Sequence, residues 1–92
     1  MSNTIVYING TLIPLKNGMI PFRDGGFQFG DGLFETIRFN NKNLFSAKKH
    51  IYRLRSGLKI LDLKLEKSNI EIIQILNQVI HANQFNAGLL RL

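Results

Sequence analysis

A stripe of three residues on one predicted helix carries the clearest chemistry in this chain. Apolar residues recur at helical spacing from Ala47 to Leu61, and successive residues of a helix turn by about 100°. His50, Arg53 and Gly57 therefore fall together on the flank of the apolar face. An arginine there can present its planar fork to a phosphate dianion, with Gly57 leaving room for a ligand one turn further on. The residues alone also fit a simpler interpretation, in which Arg53 pairs with a nearby carboxylate.

Other residues capable of chemistry have weaker support. Asp31 and Glu35 could form an acid–base pair, but nothing in the sequence places them together. His50 is expected to be structural, joining its helix to a strand, and His81 lies off the apolar face of a second helix. The lysines all fall in predicted turns, breaks or solvated helix faces, where an ammonium stays charged and is a poor nucleophile. Since the chain also has no cysteine, we assign no catalytic residue and no metal ligand.

The chain is predicted to open with a hairpin. Thr4–Ile8 and Thr11–Leu15 alternate apolar with polar or β-branched residues on either side of Asn9-Gly10. That dipeptide is the strongest short-range signal for a two-residue type I′ turn, and it predicts that the two segments pair antiparallel.

Further extended segments follow the hairpin. Phe27–Phe29 and Leu33–Phe39 are rich in aromatic and β-branched residues, and Gly30-Asp31-Gly32 separates them. These glycines indicate a tight turn and not a phosphate loop, because such loops open a helix and a strand follows here. A polar turn then leads into Leu44, predicting a second hairpin with Phe39 and Leu44 at its neck and an antiparallel meander overall.

Two helices are predicted to follow the strands. Ser46 can offer its side-chain oxygen to the first free N–H groups of the Ala47–Leu61 helix. Ser68 and Glu71 form a capping-box pattern before a second helix, which should end near Asn83. The apolar face of the second helix is broad enough to pack against both the sheet and the first helix. We therefore predict an α+β fold, an antiparallel sheet with two helices packed on it.

Composition limits the remaining classes of function. Ninety-two residues with 45% hydrophobic content predict one globular domain, and a net charge of +6 raises the alternative of a small basic module that binds nucleic acid. Lys48, Arg55 and Lys59 lie with Tyr52 opposite the apolar face, however, which indicates a solvated helix face. The chain has no signal-like start and no long apolar run, so we expect a soluble, cytoplasmic protein without membrane contact.

Two motifs, taken in order, resemble one enzyme family. The run from Gly26 to Arg38 has the pattern GF-x-FGDG-x-FET-x-R, and His50 to Leu54 has the pattern H-x-x-R-L. Together they resemble the opening third of the class IV aminotransferases, the fold-type IV enzymes that use pyridoxal 5′-phosphate. Branched-chain aminotransferases, D-amino acid transaminases and aminodeoxychorismate lyase belong to this family. The resemblance extends from Tyr7 to Leu92, with one departure at Gly25, where the family usually has arginine.

The resemblance implies roles for particular residues. Arg53 stands at the position of the arginine that holds the cofactor phosphate, so the resemblance favours phosphate binding over carboxylate pairing. Phe34 stands where an aromatic residue lines the substrate pocket, and Phe29 where one reaches the neighbouring subunit's site. Strand alternation places Thr36 and Arg38 on the same face as Phe34. We therefore expect Phe29, Phe34, Thr36 and Arg38 to bind the substrate. Both phenylalanines also fit an ordinary role in a core.

The implied reaction is the transfer of an amino group between an amino acid and a 2-oxo acid, in a homodimer that binds pyridoxal phosphate. The alternative within the family is elimination of pyruvate from aminodeoxychorismate, a step towards 4-aminobenzoate and folate. In the family the Schiff-base lysine lies beyond the segment present here, and Leu89–Leu92 begins a strand in which the sequence stops. We therefore expect residues 1–92 to be an N-terminal domain, truncated before a second domain and inactive by itself.

Overall fold

The protein is described here by a computed structural model, which covers residues 4–24 and 32–92. It confirms an α+β fold of antiparallel strands and two helices. The elements in chain order are β1 (Ile5–Ile8), β2 (Thr11–Pro14), a short 3-10 turn (Leu15–Asn17), β3 (Thr36–Asn40), β4 (Asn43–Leu44), α1 (Ala47–Ile60), α2 (Asn69–Ala82) and β5 (Gly88–Arg91). Within the described residues the strands form two antiparallel sheets, β1-β2 and β4-β3-β5; the segment 27–29 that the predicted meander places between them lies outside these residues.

The first hairpin forms as the sequence predicts. Tyr7 pairs with Leu12 and Ile8 with Thr11, leaving Asn9 and Gly10 as the two-residue turn. Both turn residues have positive φ, 49° for Asn9 and 92° for Gly10, which is what a type I′ turn requires.

The second hairpin also has the predicted neck. Phe39 pairs with Leu44, and the turn residues Asn41 and Lys42 have φ values of 49° and 59°. The Lys42 ammonium donates to the carbonyl oxygens of Ile80, at 3.5 Å, and Asn83, at 3.3 Å. This turn is therefore tied to the C-terminal end of α2, where a cation is favoured by the helix dipole.

Strand β3 is the centre of its sheet. Thr36 pairs with Arg91 and Ile37 with Leu90 across the β3–β5 ladder. The pairing extends past the strand ends, because the backbone N–H groups of Glu35 and Leu92 each donate to the other residue's carbonyl, at 2.9 and 2.8 Å. The predicted strand Leu33–Phe39 thus begins later, at Thr36. The predicted segment 27–29 and nearly all of the predicted turn 30–32 lie outside the described residues.

The core lies between the three-stranded sheet and the helices. Alternation along β3 directs Ile37 and Phe39 inwards, where they are buried. The helices supply the remaining buried side chains, which are Ile51, Leu54, Ile72, Leu76 and Ile80. Two residues of the predicted apolar faces, Leu61 and Ile70, are exposed instead. No helix within the described ranges is both long and apolar enough to cross a bilayer.

Asn83 fastens the first hairpin to the second helix. Its side-chain oxygen accepts from the backbone N–H of Ile5 at 2.8 Å, and its side-chain nitrogen donates to the carbonyls of Ile5, at 2.9 Å, and Val79, at 2.8 Å. A single amide group therefore joins the small sheet to the C-terminal end of α2. Arg55 makes a comparable connection elsewhere, because it donates to the Lys67 carbonyl and the Asn69 side chain in and beyond the loop between the helices.

The two predicted helix caps have different outcomes. The capping box before α2 is confirmed, since the Glu71 N–H donates to Ser68 Oγ at 3.1 Å and the Ser68 N–H donates to Glu71 Oε1 at 3.0 Å. These bonds, with the nearby Lys67 charge, lower the pKa of Glu71 below its ordinary value. Ser46 makes no side-chain cap bond, so that prediction is wrong. Its backbone is left-handed, with φ of 53°, whereas a capping side chain requires an extended backbone.

Replacing Ser68 should test the capping box. Ser68→Ala should lower the free energy of unfolding by about 1 kcal/mol at neutral pH, because the Glu71 N–H loses its partner. The pKa of Glu71 is lowered in the folded state, so its contribution is present above the ordinary carboxyl pKa and is lost as pH falls through the lowered value. Ser68→Ala keeps the backbone N–H that bonds the Glu71 carboxylate, so urea unfolding should show this acid-dependent loss in both the variant and the unchanged chain. Ser46→Ala is the control, and an equal loss there would contradict the assignment.

Candidate functional site

Glu35 is the centre of a polar cluster on the flank of α1. Its side chain is only 12% exposed, and Oε1 lies 2.7 Å from Nδ1 of His50. Its backbone is fixed by the two hydrogen bonds to Leu92. An ionised carboxylate only accepts, so Nδ1 of His50 carries the proton in this contact. His50 thus joins helix to sheet, as predicted for a structural histidine.

Arg53 lies one turn after His50 and is largely in solvent. Its side chain is 72% exposed, and Nη2 lies 3.9 Å from Glu35 Oε2, which is too far for a hydrogen bond. Within residues 4–24 and 32–92, the guanidinium has no hydrogen-bond partner. The carboxylate pairing is thus present only as a loose ion pair, and the N–H donors of Arg53 stay available to an anion. Phosphate binding by Arg53 stays a prediction.

Gly57 has a different role from the predicted one. A Cβ atom built at Gly57 would lie 2.6 Å from Cδ1 and 3.4 Å from Cδ2 of Leu33. The space beside this glycine is therefore filled by the Leu33 side chain, and the prediction that it leaves room for a ligand is wrong. The cause is the path of the chain before β3, which runs along the same flank of α1.

The opposite side of β3 presents an open surface, here called the outer sheet face, formed by Phe34, Thr36, Arg38 and Arg91. Phe34 is 63% exposed, so its alternative role in a core is wrong. The Arg91 Cζ atom lies 4.6 Å from the centroid of the Phe34 ring, close enough for a cation–π contact. Arg38 makes a similar contact, at 5.4 Å, with the Phe45 ring. The outer sheet face therefore combines two guanidinium groups with exposed aromatic rings.

The structure sorts the predicted site residues into two groups. Arg53 lies with Glu35 and His50, whereas Phe34, Thr36 and Arg38 share the outer sheet face. No ion pair or ring contact links Arg53 to that face in the part of the chain that the structure describes. Phe29 lies outside the described residues.

Sequence reasoning missed Arg91, and it considered Glu35 only as a possible acid–base partner of Asp31. Arg91 reaches the outer sheet face because β5 pairs with β3 in a register that sets it opposite Thr36. That register joins segments distant in the chain, and no local pattern predicts it. Glu35 had a usable signal, because strand alternation places it on the inward face beside a predicted helix that carries His50.

Comparison with protein families finds one match. Residues 32–92, more than half of the chain, match the family described as amino-transferase class IV. The matched range includes every predicted site residue except Phe29. No curated protein matches the chain in a sequence comparison.

Solved structures share this fold. A T.th. branched-chain amino acid aminotransferase, complexed with N-(5′-phosphopyridoxyl)-L-glutamate, is 20% identical with a TM-score of 0.86, and the match covers 97% of this chain and 31% of that one. The Escherichia coli branched-chain aminotransferase is 22% identical with a TM-score of 0.82, covering 90% and 29%. The branched-chain aminotransferase from Thermoproteus uzoniensis with norvaline is 22% identical with a TM-score of 0.85, covering 96% and 31%. The chain thus spans about a third of the length of these structures.

The contact between His50 and Glu35 should contribute measurably to stability. His50→Ala removes the donor of a mostly buried carboxylate, which should lower the free energy of unfolding by about 1–3 kcal/mol. His81→Ala is the control, because His81 is also helical but exposed, and its hydrogen bond, from Nδ1 to the Asn77 carbonyl at 2.7 Å, lies within its own helix in solvent; it should change stability by less than about 0.5 kcal/mol. Both variants gain the same helix propensity, so the difference between their urea-unfolding free energies isolates the contact. Equal values would contradict it.

Proposed function

Because the chain belongs to the class IV aminotransferase family, we propose that it acts as one domain of a pyridoxal-phosphate-dependent aminotransferase, with residues 1–92 as the small N-terminal domain. The proposed reaction moves an amino group between an amino acid and a 2-oxo acid. The observation that carries this proposal is the exposed Arg53 guanidinium beside the Glu35–His50 contact. Similar folds in solved structures that carry pyridoxal-phosphate derivatives support the choice of cofactor.

The surroundings of Arg53 fit a phosphate group. Its donors are not consumed by Glu35, because the contact between the two side chains is 3.9 Å long. Arginine binds phosphate through a rigid planar fork, and such charge-assisted bonds are about twice as strong as neutral ones. The first turn of α1 carries Lys48 and Lys49 and no acidic residue, and this positive charge offsets that of the Glu35 carboxylate, 3.9 Å from Arg53. The donor set and the charge therefore suit the phosphate of the proposed cofactor.

Pyridoxal phosphate supplies the electron sink for amino-group transfer, and this chain contributes binding and orientation. Glu35, held by His50 and by the Leu92 backbone, gives Arg53 a fixed neighbour on one side. The N–H donors of Arg53 that Glu35 leaves unused would hold the phosphate.

The outer sheet face is proposed to meet the substrate. Amino acids and 2-oxo acids both carry a carboxylate, and Arg38 and Arg91 supply positive charge on this face. Phe34 is exposed beside Arg91 and has no hydroxyl group, which favours an apolar contact at its position. The Thr36 hydroxyl adds a polar partner. In a homodimer Phe29 would reach the site of the neighbouring subunit, a role that the resemblance implies.

Arg53→Ala should weaken cofactor binding. Loss of a charge-assisted contact of about 1.5–3 kcal/mol predicts a Kd for pyridoxal phosphate that is about 10- to 150-fold higher in the full natural protein. Pyridoxal, which lacks the phosphate, should bind equally to both forms. Lys59→Ala is the control for charge on the same helix, since Lys59 is exposed and lies near the other end of α1. An unchanged Kd for pyridoxal phosphate in Arg53→Ala would refute the assignment.

Residues 1–92 alone should form no specific covalent adduct with pyridoxal phosphate. Lys42 is occupied by the carbonyls of Ile80 and Asn83, and the other lysines are exposed, namely Lys16, Lys48, Lys49, Lys59, Lys64 and Lys67. An exposed ammonium stays charged and reacts poorly. Borohydride reduction followed by peptide mass spectrometry should therefore find only scattered, substoichiometric labelling. One lysine labelled to completion would show that the chain contains its own catalytic residue.

A further inference from the structure

We infer that Gly57 is a positioning residue: the notch that it leaves in α1 seats Leu33 and thereby fixes Phe34 on the outer sheet face. The inference rests on the proposed function, because the position of Phe34 matters to a reaction only if Phe34 contacts the substrate. It assigns a task to a glycine that lies outside both groups of site residues.

The notch is a close steric fit. The Leu33 Cδ1 atom lies 2.6 Å from the place where a Cβ atom of residue 57 would stand, closer than real Cβ contacts allow. Glycine inside a helix costs about 0.5–1 kcal/mol relative to alanine. Gly57 lies inside α1, so the helix itself gains nothing from it. The contact with Leu33 supplies the physical reason for the glycine.

A second anchor holds the other end of the same short segment. Glu35 is bonded to Leu92 through both backbone groups and to His50 through its carboxylate. His50 and Gly57 are two helical turns apart, so the two anchor points are separated by about 10 Å along α1. Leu33 and Glu35 both contact this helix. Phe34 lies between two fixed neighbours.

The two anchors direct Phe34 away from the helix. Its ring is exposed and stacks beneath the Arg91 guanidinium, at 4.6 Å. A shift of Leu33 would pass directly to Phe34 through one peptide unit, whereas Glu35 is held too firmly to follow. The distance between the Phe34 ring and Arg91 therefore reports on the seating of Leu33.

Substitution at Gly57 should change the position of Phe34 without lowering the stability of the folded protein. The atom that would collide belongs to Leu33, which is 41% exposed, so the residue as a whole has space to move outwards while the helix stays folded. Gly57→Ala also gains helix propensity of up to about 1 kcal/mol. The variant should fold with an undiminished melting temperature while Leu33 and Phe34 are displaced.

The test uses the full natural protein and compares Gly57→Ala, Leu33→Ala and the double variant, with Ser56→Ala as the control from the exposed side of α1. Gly57→Ala should raise KM for the amino acid substrate about tenfold with kcat nearly unchanged, because ground-state and transition-state binding are lost together. Its crystal structure should show a changed distance from the Phe34 ring to Arg91. In the double variant the methyl group of residue 57 occupies the space that Leu33 gives up, so KM should return towards its original value.

Several readouts separate this inference from the proposed function. Unchanged Kd for pyridoxal phosphate and an undiminished Tm in Gly57→Ala are expected, since Arg53 and the core are untouched. An unmoved Phe34 ring, an unchanged KM, or no recovery in the double variant would overturn the inference. Phe34→Ala tests the proposed function independently: if it leaves KM unchanged, the substrate face is wrongly assigned. If Phe34→Ala raises KM and Gly57→Ala does not, only the inference fails.

Discussion

The proposed roles of Arg53 and Phe34 both depend on the contact between Glu35 and His50. It joins the start of the central strand to the first helix through a carboxylate that is only 12% exposed. A carboxylate at that depth needs a donor, because burying an unpaired charge costs more than a single contact returns. His50 supplies the donor, and the Leu92 backbone fixes the residue from the other side. The Glu35–His50 contact consequently fixes the sheet and the first helix relative to each other.

The two faces of the short segment before β3 have different proposed roles. Glu35 faces the helix, next to the exposed guanidinium of Arg53, while Phe34 faces the open side of the sheet. Alternation along an extended chain makes this division unavoidable. Glu35, the fixed neighbour of the proposed cofactor-binding Arg53, and Phe34, the proposed substrate contact, are therefore adjacent residues, and one peptide unit sets the spacing between them.

Local patterns predicted much of the fold. Asn9-Gly10 specified the first turn, because both residues tolerate positive φ, and the pairing of Ser68 with Glu71 specified a helix start through two reciprocal bonds. Ser46 shows the limit of the same reasoning. The residue type suits a cap, but the turn before α1 forces a left-handed backbone that points its side chain elsewhere.

Long-range geometry accounts for most of what the sequence did not reveal. The division into two sheets and the register of β5 against β3 depend on contacts between distant segments, which leave no periodic signal. Arg91 was missed for this reason. The sequence indicated that Gly57 leaves a gap near Arg53, yet only the path of the chain before β3 shows that Leu33 fills this gap. Local sequence patterns thus indicate candidate residues for chemistry, whereas the contacts that position those residues depend on the fold.

The fastening of the first hairpin by Asn83 makes this domain sensitive to a slow chemical change. The amide nitrogen donates to two carbonyl oxygens at once, while the amide oxygen accepts from Ile5. Deamidation to aspartate would replace the nitrogen with a negatively charged oxygen facing those same two carbonyls. Attraction at both would become repulsion, which would weaken the attachment of the hairpin to the helix.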